Sequence, residues 1–441
     1  MDVNINFWKW SELDAERRRR ILRRSEEDIS SAIEAVRPIV EAVRLEGDAA
    51  VLRYTREFEG AELEPDGLRV SEEEFSRAEA ELDKSLKRAI ENAVENVRIF
   101  HAAQVPSAME MIEVRPGLVA GERAMPIDSC GLYVPRGRGS FPSMVYMLAV
   151  PAKLAGVKRI VMVSPPESDG SINPACLYAA HLCGVDEVYK MGGSQAIAAL
   201  AYGTESIRPV SMITGPGSAY VAAAKHLVSH IVNTGLPAGP SESVILADSS
   251  ADAWKVAIDL LIEAEHGADS SALLVTDSVS LAESVRSYLE DCIIRLPEPR
   301  QGFVRSVMAG YGGIIVADSM EEAAAIVNDF APEHLMLHTR EPFFTLSMIE
   351  NAGEILLGEN TPFSIANYAT GPNAVLPTGG KAKLYSPVSV RDFIKYSSVV
   401  YASKEAFENI RDDVIRLAEF ENFPAHAAAL KNRDKTGKYE L

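Results

Sequence analysis

The stretch "GLYVPRGRGSFPSMVYMLAVPAKLAGVKRIVMVS", residues 131 to 164, decides the fold. A β-rich run, "GLYVP", passes through a glycine turn into "SMVYMLAVPAKLAG", which predicts a helix, and "RIVMVS" then supplies a second strand. Strand, helix and strand in this order form a parallel unit, because parallel neighbours need a crossover connection. Downstream the alternation continues through "PACLYAAHLCG", "EVYKM", "SQAIAALAYG", "VSMIT" and "SAYVAAAKHLVSHIV". It restarts after "LPAGPSE" (residues 236 to 242) with "SVILAD", a helix, "ALLVT", "LAESVRSYLEDCI", "GGIIVAD", "EEAAAIVND", "HLMLHT" and "EILLG". The fold class is therefore α/β, with two tandem, incomplete Rossmann-like parallel units. Their likeness suggests duplication, on pattern and not on residues.

Upstream, from about residue 26 to 130, the pattern reads as helical, with apolar residues at three- and four-residue spacing in "ISSAIEAVRPIVEAVRLEG" and "LKRAIENAVENVRIFHAAQ". The chain closes with "TPFSIANYATGPNAVLPTGGK", a strand-like "SSVVYAS" and a helical tail.

A chain of 441 residues, 47% hydrophobic and 24% charged, can bury more than one core, so two or three domains are expected. Its net charge of -19 argues against nucleic acid, which needs a concentrated basic surface. The one basic run, "ERRRRILRR" (residues 16 to 24), reads as a solvated or inter-subunit helix of an N-terminal arm. No leader-like start and no apolar run of membrane-spanning length stand in the sequence, so a cytoplasmic protein is expected. Cys130, Cys176, Cys183 and Cys292 lack CxxC spacing and sit among apolar residues, as reduced, buried thiols do. A bound metal would then need His and carboxylate or amide oxygen ligands.

Four places concentrate polar residues at element boundaries, where open α/β sheets bind ligands. In "LLIEAEHGADS", Glu263 and His266 share one helix face, as two metal ligands or as an ordinary surface hydrogen bond. In "FAPEHLMLH", Glu333 and His334 head a strand, as an acid-base pair or as a cap beside a packing histidine. "ENFPAHAAALKNR" supplies Glu421 and His426 near the chain end, incidental unless a partner residue joins them. The glycine turns "YVPRGRGSFPS", "MGGSQAIAAL", "TGPGSAY" and "AGPSES" offer backbone N–H groups to a pyrophosphate, although none is GxGxxG. Arg136 and Arg138 in the first turn either hold an anionic substrate or face solvent.

Taken together and in order, "GLYVPRG", "GVDEVYKMGGSQAIAALAYGTES", "GPGSAYVAAAK", "LPAGPSE", "EAEHGADS", "APEHL", "YATGPNAVLPTGG", "SPVSVRDFIK" and "PAHAAAL" resemble the histidinol dehydrogenase family over almost the whole chain. The resemblance implies a cytoplasmic homodimer that uses zinc and NAD to oxidise L-histidinol through the aldehyde to L-histidine. It implies His334 as general base and Glu333 as the group that activates water. The family's zinc ligands are Gln, His, Asp and His; the matching residues are Glu263, His266, Asn367 and His426. Gln has become Glu and Asp has become Asn, so two oxygens, two imidazoles and one negative charge are kept.

By the same match Tyr133, Gln195 and Ser218 would contact NAD, with Ser218 standing where the family has Asn. Ser241 and Glu421 match substrate-contacting positions, and Ala374 stands where the family has a substrate-contacting His. The ligands Glu263, His266, Asn367 and His426, with the base His334, also border the substrate. Glu421 and His426 match residues given by the other subunit, so the site would be built across an intertwined dimer. The implied division is an arm over residues 1–29, a catalytic α/β domain over 30–132 plus 243–385, an NAD-binding α/β domain over 133–242, and a C-terminal helical domain over 386–441. Two alternatives remain open: the same chemistry on another small polar alcohol, an anionic one being read by Arg136 or Arg138, and a non-catalytic NAD- or metal-binding paralogue.

Overall fold

In the computed structural model, which describes residues 3–24, 30–136 and 139–434, the stretch that opens the alternation forms β4 and β5. In chain order the strands are β1 Phe7–Lys9, β2 Met109–Arg115, β3 Leu118–Pro126, β4 Ser129–Tyr133, β5 Arg159–Ser164, β6 Glu187–Lys190, β7 Met212–Thr214, β8 Glu242–Ala247, β9 Ser271–Thr276, β10 Gly313–Val316, β11 His334–His338, β12 Glu354–Leu357 and β13 Ile394–Ala402. They form three sheets. Two are parallel, ordered β6-β5-β4-β7 and β1-β10-β9-β8-β11-β12; the third, β13-β3-β2, is antiparallel.

The four-stranded sheet is covered on both faces, so its strands are apolar without alternation. Cys130, Leu132, Ile160 and Met162 pack with the helices Lys84–Ala102, Pro142–Ala155 and Pro174–Leu182. Tyr133, Val161, Val163 and Ile213 face the helices Ser30–Glu46, Gly193–Tyr202 and Ala219–Val228. The helix Pro142–Ala155 starts on a proline and stops at Gly156, whose φ of 86° no branched residue would tolerate cheaply. Residues 30–102, grouped by sequence with 243–385, thus share their cores with the four-stranded sheet.

The six-stranded sheet is also a middle layer. Ile245, Leu274, Ile314, Met336 and Leu356 face the helices Ala253–Ala264, Val279–Arg295 and Arg300–Ala309. Val244, Leu246, Leu273, Val275, Leu335 and Leu337 face the helix Met320–Phe330 and Trp10. The arm contributes β1 to the outer edge of this sheet, beside β10.

Contacts divide the chain into a larger unit, Met1–Val105 with Ile127–Phe393, and a smaller one, Pro106–Pro126 with Ile394–Leu441. The smaller unit corrects the helical expectation for the end of the 26–130 segment. Residues 109–115 form an exposed strand, and the Pro116-Gly117 turn, with Gly117 at φ 74°, makes a hairpin of β2 and β3 onto which β13 pairs. Its helices are Lys404–Phe420 and Pro424–Lys431. All four cysteines are free and buried. Among the described residues no helix is long and apolar enough to cross a membrane.

Candidate active site

The amino ends of three neighbouring strands converge. His334 opens β11 and lies in register with Ser243 of β8 and Glu354 of β12. Alternation along the strands puts His334 and Glu354 on the face that carries Met336 and Leu356, which is the face of the helix Ala253–Ala264. That helix is capped by Asp252, which accepts from the N–H groups of Trp254 and Lys255. As a crossover it runs back along the sheet, so its last turn brings Glu263, and just beyond it His266, to the same edge.

Here Glu263 is 1% exposed, His334 3%, Glu333 8% and Glu354 9%, so each charge must find a partner inside the protein. His334 Nδ1 lies 2.9 Å from Glu354 Oε2, and its Nε2 lies 3.9 Å from Glu333 Oε1. The Glu242 N–H donates to Glu333 Oε2 at 2.9 Å. Asn367 Nδ2 donates to Glu263 Oε1 at 2.7 Å, while Ser241 Oγ lies 2.9 Å from His266 Nδ1. His266 Nδ1 is 3.5 Å from Glu263 Oε2.

The charges shape each other. Burial would lower the His334 imidazolium, but Glu263, Glu333 and Glu354 override it and push its pKa up to about 10. Burial, with help from Glu263 and Glu242, pushes Glu333 up to about 8 against the opposing pull of His334. Glu263 goes the other way: burial is outweighed by His266 and His334 and by hydrogen bonds from Asn367 and Ser241, which hold it below the usual carboxylate range. Without a metal, Glu333 and His334 thus each tend to hold a proton near neutrality while Glu263 stays anionic.

Glu263 Oε2 is buried with no hydrogen-bond partner, an arrangement that suits a cation ligand. With His266 and the amide of Asn367 it supplies oxygen and imidazole donors that fit a divalent metal. Among the described residues no group of three or more His, Cys, Asp and Glu side chains is assembled for a metal, so this partial set needs a further donor.

A second polar locus lies at the carboxyl ends of the four-stranded sheet. Tyr133 ends β4 and its hydroxyl accepts from the Gly193 N–H at 3.1 Å. Gln195, in the first turn of the helix Gly193–Tyr202, is fully buried and neither amide atom has a hydrogen-bond partner. After β7, Gly215 passes so close to β4 that a Cβ there would lie 2.1 Å from the Tyr133 carbonyl oxygen. Ser218 is the N-cap residue of the helix Ala219–Val228 but makes no side-chain cap bond. Buried Lys225 donates to the Gly215 carbonyl at 2.5 Å, and desolvation lowers it to about 8.

The chain matches the histidinol dehydrogenase family model over residues 22–434. It is 50% identical to a histidinol dehydrogenase of Synechocystis sp., over 97% of this chain and 98% of that one. The chain belongs to the histidinol dehydrogenase family. This is a family of NAD-dependent oxidoreductases. A histidinol dehydrogenase homolog of Rhizobium meliloti is 48% identical over 97% of this chain and 94% of its own. The crystal structure of histidinol dehydrogenase from Elizabethkingia anophelis superposes with a TM-score of 0.92 at 35% identity, covering 99% of both chains.

Of the residues implied by histidinol dehydrogenase membership, Ser241, Glu263, His266, Glu333, His334 and Asn367 form the amino-end cluster, and Tyr133, Gln195 and Ser218 stand at the carboxyl-end turns. Ala374 is partly buried and packs on the core of the four-stranded sheet. Glu421 and His426 belong to the smaller unit, where they are exposed at the end of one helix and the start of the next. Arg136 is paired with Glu167 and lies 3.7 Å from Glu59, so its charge is already matched; Arg138 lies outside the described residues.

Three residues escaped the sequence reading. Arg24 ends the basic run, yet it is buried, pairs with Glu242, donates to the Phe330 carbonyl and lies 3.5 Å above the Phe330 ring. That corrects the solvated reading at this position. Glu242 and Glu354 each head an apolar strand, and a charge at that point of "SESVILA" and "AGEILLG" was the available signal.

Proposed function

We propose that the protein oxidises a primary alcohol through its aldehyde to the carboxylic acid, using NAD and zinc, and that the alcohol is L-histidinol. The observation that supports this most is buried His334 with a carboxylate at each ring nitrogen, Glu354 at Nδ1 and Glu333 at Nε2, beside the donors Glu263, His266 and Asn367. Zinc would be held by these three with His426 of the partner subunit in a homodimer and would supply Lewis-acid chemistry, and NAD would lie beside Tyr133, Gln195 and Ser218 as the hydride acceptor.

His334 Nε2 takes the alcohol proton as the hydride leaves carbon; an alcohol gives up hydride readily only as its oxygen becomes anionic. Glu333 then takes a proton from the water that adds to the aldehyde. Without a metal both groups hold their protons near neutrality; a cation bound beside Glu263 would lower both and free them to act as bases. The hydrated aldehyde loses the second hydride as its O–H proton passes to His334, which has by then returned the first proton to solvent. Ser241, with Glu421 of the partner subunit, would hold the substrate's polar groups during both steps. One water is consumed and two NADH are formed for each acid.

The test is NADH formation by zinc-loaded protein given L-histidinol and NAD, with the product identified. Two NADH per histidine is the expected result; no turnover by protein that binds zinc and NAD would overturn the substrate. A second reading, another small polar alcohol, is favoured by Ala374, which presents only a methyl group where the family has His. On that reading Ala374→His raises kcat/KM for histidinol by about 10-fold, the worth of one hydrogen bond. An anionic substrate read by Arg136 would have to compete with Glu59 and Glu167.

A further inference from the structure

We propose that Glu354 is a positioning residue that holds the His334 ring with its proton on Nδ1 and Nε2 turned to the reacting groups. The inference rests on the reading of His334 as the base and adds a residue to it. Glu354 and His334 are the first residues of adjacent parallel strands and are direct cross-strand partners. Their side chains share one face, and Nδ1 lies 2.9 Å from Oε2.

The backbone enforces this contact. The Gly353 N–H donates to the Pro332 carbonyl and the Glu354 N–H to the Glu333 carbonyl, each at 2.9 Å. Gly353 is required for that approach, because a Cβ there would lie 2.6 Å from the Glu333 carbonyl oxygen. The Phe363 ring, fully buried, meets the imidazole edge to face at 5.9 Å between centroids and closes off another orientation.

Among the described residues Glu354 has no competing side-chain partner. Its other oxygen, Oε1, is buried and unbonded, so among the described residues the imidazole is the group it serves. A carboxylate accepts only, so the hydrogen bond at this distance places the proton on Nδ1. Nε2 is then the nitrogen left to exchange a proton with substrate, and it is the one nearer Glu333.

The test has a spectroscopic arm and a kinetic arm. An imidazole Nδ1–H bonded to a buried carboxylate gives a strongly downfield proton resonance whichever charge the ring carries. In the intact zinc-loaded protein labelled with ¹⁵N-histidine, we expect one such resonance, coupled to nitrogen, absent from both Glu354→Ala and His334→Ala. Its absence from the unsubstituted protein, or its survival in Glu354→Ala, overturns the proposal without any substrate being needed. Failure of histidinol as substrate would leave this arm intact and is thereby distinguished from failure of the positioning role.

In turnover, Glu354→Ala is expected to lower kcat by about 10- to 100-fold with KM nearly unchanged, the usual cost of losing a group that orients an imidazole. Glu354→Gln keeps the shape and a carbonyl acceptor, and should recover part of kcat. Wild-type kcat in Glu354→Ala, or a loss in KM alone, overturns it.

Discussion

The two parallel sheets share a strand order and use opposite ends of it. Numbered within each unit, β6-β5-β4-β7 and β10-β9-β8-β11 are both 3-2-1-4, with the order reversing between the first and fourth strands. In the four-stranded sheet, Tyr133, Gly215 and Ser218 lie at the carboxyl ends beside that reversal, where open α/β sheets ordinarily bind ligands. In the six-stranded sheet the polar cluster lies at the amino ends of β8, β11 and β12. Topology therefore does not choose the end. Chemistry does: free backbone N–H groups at helix starts suit a phosphate, whereas Glu263 and His266 come from a helix end, where orphan carbonyls and side-chain oxygens suit cations.

If the amino-end cluster carries the chemistry and the carboxyl-end turns carry the cofactor, damage at one should spare the other. The largest effect is expected for His334→Ala, a fall in kcat of about 10²- to 10⁴-fold, the usual worth of a general base. Calorimetric affinity for NAD should stay unchanged; a matching loss of NAD affinity would break the separation. Next, Glu263→Ala should release the metal, measured as zinc per chain after dialysis, while leaving NAD binding intact. Full zinc occupancy in that variant would remove Glu263 from the ligand set.

The reverse experiment is milder. Gln195→Ala deletes a buried amide whose two polar atoms are unpartnered, so the free protein should lose little stability. NAD affinity should drop about 10-fold with zinc content unchanged, and equal affinity would remove Gln195 from the cofactor site. The last effect is on stability. Glu333 is raised to about 8 and His334 to about 10, so the folded protein binds protons more tightly than the unfolded chain. That contribution is present at low pH, and it is lost as pH rises, through about 8 for Glu333 and about 10 for His334. Between pH 5 and 8 the metal-free protein should lose up to about 1.4 kcal/mol per pH unit from Glu333, a slope that Glu333→Gln removes. Denaturant titrations of both proteins across that range measure it; parallel slopes would mean that Glu333 titrates normally.

Much of this architecture was legible. Runs such as "RIVMVS" and "SVILAD" are apolar throughout because both faces are covered, and the glycine turns between them mark the crossovers. The short β1 gave no such signal, being three residues long. The β2-β3 hairpin was lost under the helical period of its neighbours, although "EVRPGLV" carries its turn. Of the site, Glu263, His266, Glu333 and His334 drew notice as titratable pairs at element ends. Arg24, Glu242 and Glu354 did not, since a single charge in a sequence looks solvated until its partner is known.

The sequence by itself determined the alternation of elements, the two parallel units and the residue types at each end, because apolar periodicity and turn chemistry are local properties. Only the tertiary structure decided that β11 and β12 begin side by side, that Glu354 meets His334 Nδ1, and that Arg24 meets Glu242 from 218 positions away. These pairings hold because a buried charge costs far more alone than matched, and only the folded chain fixes which charges are buried together.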